Sequence, residues 1–164
     1  MRFFLCILLL AMYSLCHSQV DHRDLRVENG RFYYKNDTIP YTGKVIGHDV
    51  DTRQVVYRAE LVDGLAEGLV YLYYENGLYS YSEFKNGIKN GVSKLYHKNG
   101  QLLREGVMLD ELEEGEWKEY YSPGKISAII HYKNGLKHGP YQEFDETGQL
   151  IKETFYQNDI EVKP

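Results

Sequence analysis

Through most of the chain, apolar and polar positions alternate in short runs, and glycine cuts the runs at regular intervals. Aromatic-rich runs recur as "LVYLYY", "VSKLYH", "EWKEYY" and "PYQEF". A turn-like triplet follows each one: "ENG", "KNG", "SPG" or "ETG". A second extended run comes next, such as "QLLREGVM" or "QLIKETFY". Short runs rich in aromatic and branched residues, bounded by Gly, Asn and Pro, predict strands. A glycine about every dozen residues leaves no window long enough for a stable helix. Each copy therefore predicts a β-hairpin, and successive hairpins should pair side by side.

The glycines fall into three classes. Gly43, Gly68, Gly91, Gly115 and Gly139 are spaced 25, 23, 24 and 24 apart. Gly77, Gly100, Gly124 and Gly148 are spaced 23, 24 and 24. Gly64, Gly87 and Gly135 form the third class, with Glu111 and Asp159 in the same register. Asn-Gly between two extended runs is a strong hairpin signal, because both central residues of a type I′ turn need positive φ. Two-residue turns are predicted at Asn99-Gly100 and Thr147-Gly148. Lys98 then faces Gln101, Lys94 faces Glu105, and Glu143 faces Lys152. The third class falls in short links, "NGIKNG" and "NGLKHG", between copies.

The predicted fold class is all-β: an elongated, twisted antiparallel sheet of consecutive hairpins of about 24 residues each. Side chains alternate faces along a strand. One face carries Leu69, Tyr71 and Tyr73, then Val92, Lys94 and Tyr96, then Glu116, Lys118 and Tyr120, then Pro140, Gln142 and Phe144. The other carries Tyr74, His97, Trp117, Tyr121 and Tyr141 among smaller and charged residues. Neither face reads as a clean core. Tyr73, Tyr96, Tyr120 and Phe144 recur at one repeat position and read as packing. Tyr74, His97, Trp117, Tyr121 and Tyr141 are irregular, as a specific contact surface would be, and they are the candidate partner-binding residues. Trp and Tyr are enriched where binding energy concentrates.

Residues 1–18 read as a secretory signal peptide. Arg2 precedes an apolar run from Phe3, and small and polar residues close it, with the cut expected after Ser18. A lipoprotein cut before Cys16 is the rival, but Leu15 fills the place where a small residue is expected. Residues 19–42 read as an entry and capping segment, 43–160 as the array, and 161–164 as a polar tail. The chain left after the cut has eighteen basic and twenty-four acidic residues, a net charge of −6, and neither Cys6 nor Cys16. An exported protein of the cell envelope or medium suits a cysteine-free chain, in which nothing can mispair. The acidic balance argues against nucleic acid and against strong binding to anionic lipid.

Chemistry is sparse. His22, His48, His97, His131 and His138 show no HxH or HExxH spacing, and no CxxC pair exists. A metal site needs three or four converging ligands. No GxSxG elbow is present, and Ser122 of "SPG" reads as a turn serine. The expectation is a non-enzymatic protein with no cofactor and no metal.

The spacing "YxxNGxxxxxxxKNGxxxG", with "NGLKHGPYQEF" and the entry "PYTGKV", resembles the variant MORN repeats of bacteria. The likeness covers roughly residues 26–160. It implies an extended hairpin array that serves as a binding or scaffold surface. Family members often carry the label of antitoxin in a toxin–antitoxin pair, and MORN proteins are also linked to membrane lipids. Three functions follow as expectations. The first is a module that binds an unidentified protein through an aromatic sheet face. The second is a carbohydrate or cell-wall binder, since "GEWKEYYSPGKI" resembles choline- and glucan-binding repeats. The third is an antitoxin-like partner of a co-exported toxin.

Overall fold

The structure is a computed structural model that describes residues 19–75 and 77–162. The predicted signal peptide, with Cys16 and the cut site, lies outside the described residues, as does the end of the tail. The described chain runs β1 (Gln19–Asp21), a single 3₁₀ turn (His22–Asp24), β2 (Leu25–Glu28), β3 (Arg31–Tyr34), β4 (Gly43–His48) and β5 (Val55–Val62). It continues through β6 (Leu65–Tyr74), β7 (Gly77–Lys85), β8 (Ile88–Tyr96), β9 (Leu102–Leu109) and β10 (Leu112–Tyr120). It ends with β11 (Ile126–Lys133), β12 (Leu136–Phe144), β13 (Leu150–Gln157) and β14 (Ile160–Val162). Strands β4 to β14 pair in chain order in one sheet, and β1 adds at the β4 edge. The array is thus the predicted single sheet of consecutive hairpins. One pairing departs from the expected antiparallel pattern: β1 lies parallel to β4, with Val20 beside Val45. Strands β2 and β3 form a separate two-stranded sheet.

The tight turns are not where the sequence places them. The two-residue turns are the links: Asn29-Gly30, Asp63-Gly64, Asn86-Gly87, Asp110-Glu111, Asn134-Gly135 and Asn158-Asp159, all with positive φ at both residues. That is the type I′ pattern, whose twist matches the strands it joins. At the opposite end, His97 N–H donates to Gln101 O at 2.8 Å, leaving a three-residue loop, Lys98 to Gly100. Only Gly100 in that loop has positive φ. Tyr121–Lys125 and Asp145–Gln149 repeat the arrangement. His97, not Lys98, therefore faces Gln101. The extra loop residue is offset by a bulge between Leu95 and Tyr96, so Lys94 still pairs with Glu105. Glu143 still pairs with Lys152 by the same compensation.

Gly43 starts β4, but the other four glycines of the first class do not start strands. Each strand starts just after its turn, and Gly68, Gly91, Gly115 and Gly139 lie inside β6, β8, β10 and β12 with left-handed φ. The facing registers slip there, as they do at a β-bulge.

Successive links bond to one another. The second turn residue donates its N–H to a carbonyl of the preceding copy: Gly64 to Tyr41, Gly87 to Ala66, Glu111 to Lys89, Gly135 to Glu113 and Asp159 to Lys137, at 2.8–3.0 Å. Acidic side chains reinforce this ladder, with Glu67 accepting from Asn86 N–H and Glu114 from Asn134 N–H, both at 2.8 Å. A link that hydrogen-bonds its predecessor explains why the period is so constant: an inserted residue would break two copies.

Two apolar clusters lie on the same face of the sheet. Val20, Tyr41, Val45 and Leu61 form one, with Leu25 and Tyr34 of the β2–β3 hairpin packed on it. Trp117, Ala128 and Ile130 form the other, with Met108, Tyr132 and Tyr141 around it. The hairpin is anchored where Phe32 N–H donates to Gly64 O and Tyr41 N–H to Phe32 O.

Candidate functional site

Cross-strand registers place two of the candidates, Trp117 and Tyr141, on one face. Trp117 opposes Ile130, and Ile130 opposes Tyr141. Ser93 opposes both Ser82 and Gly106. This face, called here the covered face, holds both apolar clusters. It is the irregular face that sequence pattern marks as the contact surface. The regular face, called here the ladder face, carries Tyr71, Tyr81, Lys94, Glu105, Lys118, Ile129, Gln142 and Glu153 in one cross-strand row.

Trp117 is only 4% exposed, so the expectation that it meets a partner is corrected: its indole is core. The reason is local. Gly106 supplies the space, because a Cβ there would fall within the indole. The Arg104 guanidinium stacks over the ring at 4.3 Å, donates to Tyr132 Oη at 3.1 Å, and bonds Glu113. Glu119 lies 3.2 Å from Arg104 Nε. Tyr132 meets the indole edge-on at 6.4 Å.

The other candidates scatter. Tyr141 is half-buried, donates to Glu143, and sits under Lys137 and Lys152 at 5.2 and 5.6 Å. Burial, aided by Glu143, pushes its phenol well above the usual range. Tyr121 donates to Phe144 O at 2.9 Å, tying one tip loop to the next. His97 is half-buried beside its tip loop, with Nε2 covered and without a partner among the described residues. Tyr74 is 39% exposed and stacks on Tyr79 at 4.4 Å. Trp117 and Tyr141 share a cluster, whereas Tyr74 stacks apart with Tyr79.

Tyr73, Tyr96, Tyr120 and Phe144 oppose Leu78, Leu102, Ile126 and Leu150, each pair closing a strand end at its tip loop. They pack, as their regularity predicts.

Sequence pattern misses the exposed apolar group on the ladder face. Val92 opposes Val107, and Leu109 opposes Leu112. All four are 39–47% exposed. Lys94, Glu105 and Lys118 flank them on the same face, with Lys94 Nζ 2.8 Å from Glu105. The available signal was the recurrence of Leu65, Ile88, Leu112, Leu136 and Ile160 just after each link.

An apolar cavity of about 390 Å³ lies under the entry hairpin, between Leu25 and Phe32 on one side and Tyr57, Leu61, Val70 and Phe84 on the other. Burial pushes the Tyr57 phenol up to about 12. The other lining residues carry no ionisable side chain, so the cavity offers packing and no acid–base pair. Nearby, Asp21 accepts from Arg23 and from His48 Nδ1 at 2.8 and 2.9 Å. The Arg23 guanidinium holds its carboxyl far below the usual range. Among the described residues no group of three His, Cys, Asp or Glu side chains could hold a metal ion.

Comparison with known families places these hairpins. Residues 89–110, 113–134 and 137–158 each match the MORN repeat variant. Each match spans one hairpin, from just after one link into the next. No curated protein matches the chain. Such repeats are commonly protein- or membrane-binding modules. The three consecutive hairpins from residue 89 to residue 158 are thus similar to MORN repeat variants.

Proposed function

We propose that this chain is an exported, non-enzymatic module that binds a protein partner on the ladder face of its sheet. The observation that carries the reading is the paired apolar group Val92, Val107, Leu109 and Leu112. These side chains oppose one another on neighbouring strands and stay exposed. Contiguous exposed apolar surface rimmed by charge marks interaction sites. Lys94, Glu105 and Lys118 supply the rim. Tyr71, Tyr81 and Tyr96 extend the face with aromatic area at little entropic cost. Export rests on the leader-like pattern of residues 1–18. A cut after Ser18 leaves β1 whole, with Gln19 beside Lys44.

Glycan binding leaned on Trp117, and that indole is covered. A membrane role is disfavoured by the acidic balance of the chain.

The test is capture. Residues 19–164 serve as bait against envelope and medium fractions of the native host, read by mass spectrometry. A stoichiometric protein partner is expected. It should be lost with the double change Val92→Glu and Val107→Glu, and kept with Trp117→Phe. Recovery of polysaccharide alone, or of no protein, overturns the reading. N-terminal sequencing of the exported chain tests the cut.

A further inference from the structure

Strands β5, β7, β9 and β11 share one place in the repeat, and each is paired on both sides. Strand β13 is the next in that series. Its inner side pairs with β12 from Leu150 to Tyr156. Among the described residues, its outer side meets β14 at Phe155, Tyr156 and Gln157. Among the described residues, nothing pairs with the outer side of Leu150–Thr154. Leu150 and Ile151 are 43% and 60% exposed there. An exposed row of backbone donors and acceptors is a template for another strand.

We infer that this edge accepts one extended strand from a protein partner, and that the strand carries Lys followed by Glu. The repeat itself supplies the chemistry. Lys152 and Glu153 stand where Arg104 and Glu105 stand two copies earlier, 48 residues before each. Opposite Arg104 and Glu105 the chain places Glu119 and Lys118. Arg104 Nε lies 3.2 Å from Glu119, and Lys118 helps to hold the Glu105 carboxyl below its usual range. The complement of Lys152-Glu153 is therefore Lys-Glu in the order of β10. Strand β14 already takes the place of Leu112–Glu114, so the incoming strand lies end to end with it. About five residues, roughly 17 Å, would cover the open stretch. The residue before its Lys must be smaller than Trp. Thr154 stands at the Gly106 position, and its Cβ fills the space the indole uses.

This edge is separate from the ladder-face group, so the two readings fail independently. The probe is a synthetic peptide of Glu116–Tyr121 carrying Trp117→Ser, titrated into ¹⁵N-labelled residues 19–164. Saturable amide shifts confined to Leu150–Thr154 are expected. A peptide with Lys118→Glu and Glu119→Lys should bind about tenfold more weakly, because two cross-strand pairs become like-charged. Protein carrying Lys152→Glu and Glu153→Lys should reverse that preference. Val92→Glu with Val107→Glu should leave peptide binding unchanged. Equal binding of both peptides, or no shift at Leu150–Thr154, overturns the inference. Concentration-dependent broadening of those amides without peptide also overturns it, by assigning the edge to a second copy.

Discussion

The Trp117 indole occupies the space above Gly106 that any other residue's Cβ would fill. Tyr57 stands in the same relation to Gly47, its direct cross-strand partner. Neither glycine belongs to the periodic classes, and neither has left-handed φ. Each is there for space: an aromatic ring covers bare backbone on the neighbouring strand, in a sheet that lacks a second layer over most of its length.

Gly106→Ala should therefore destabilise the fold by about 2–3 kcal/mol, because overpacking must displace an aromatic ring held by Arg104 and Tyr132. Urea unfolding followed by Trp117 emission measures it. Wild-type emission should be blue-shifted, as expected for a buried indole. A cost below about 0.5 kcal/mol would mean that the ring moves aside freely.

Truncating Trp117 to Ala should cost about 3–5 kcal/mol, as for other buried aromatics. Loss of partner capture by that variant would report unfolding and would not locate a binding face. Trp117→Phe keeps most of the packing and is the informative substitution. Circular dichroism melts of the two variants should separate clearly.

The number of hairpins, their antiparallel order and the cross-strand charge pairs were legible, because glycine spacing and turn residues report local backbone. The turn type was not. Asn99-Gly100 and Asn134-Gly135 are the same dipeptide, yet only the second has both residues at positive φ. Asn tolerates either hand, so the dipeptide suits a two-residue turn or a three-residue loop. The choice depends on the bulge at Leu95 and Tyr96, which long-range register imposes. The covered face was equally hidden. Alternation says that Trp117 and Tyr141 share a side. Burial follows from Gly106, eleven residues earlier, and from Arg104 lying across the ring.

Two links lack glycine where the others have it, and they provide a stability test. Glu111 and Asp159 hold φ of 69° and 65°. A non-glycine residue in that region costs about 1–2 kcal/mol. Glu111→Gly should stabilise the chain by about 1 kcal/mol, since its N–H still reaches Lys89 O. Asp159→Gly should gain less, because Asp159 Oδ1 accepts from Lys137 N–H at 2.8 Å and that bond is lost. Melting temperatures of the two variants give the order. Equal gains would show that the Asp159 bond contributes nothing.

The Glu105 site predicts loss of stability at both ends of the pH range. Glu105 accepts from Lys94 at 2.8 Å and from Tyr120 Oη at 2.6 Å. Lys94 first, then Tyr120, holds the Glu105 carboxyl below its usual value. A depressed folded value means that this contribution is complete above the unfolded value, about 4.3, and is lost as pH falls through the folded one. Tyr120 moves the other way: burial first, then Glu105, pushes it up to about 12. Its contribution is complete below about 10 and is lost as pH rises from there towards 12. Lys94 is raised by the same carboxylate and adds to the alkaline limb. Urea midpoints should therefore be flat between roughly pH 5 and 9 and fall on either side. Glu105→Gln should lower the plateau and shallow the acid limb. It should leave part of the alkaline limb, because burial of Tyr120 remains. Phenolate absorbance should rise with that alkaline loss, and Tyr120→Phe should remove its share. An unchanged acid limb in Glu105→Gln would place the acid sensitivity elsewhere, with Asp21 next because Arg23 and His48 both bond its carboxylate.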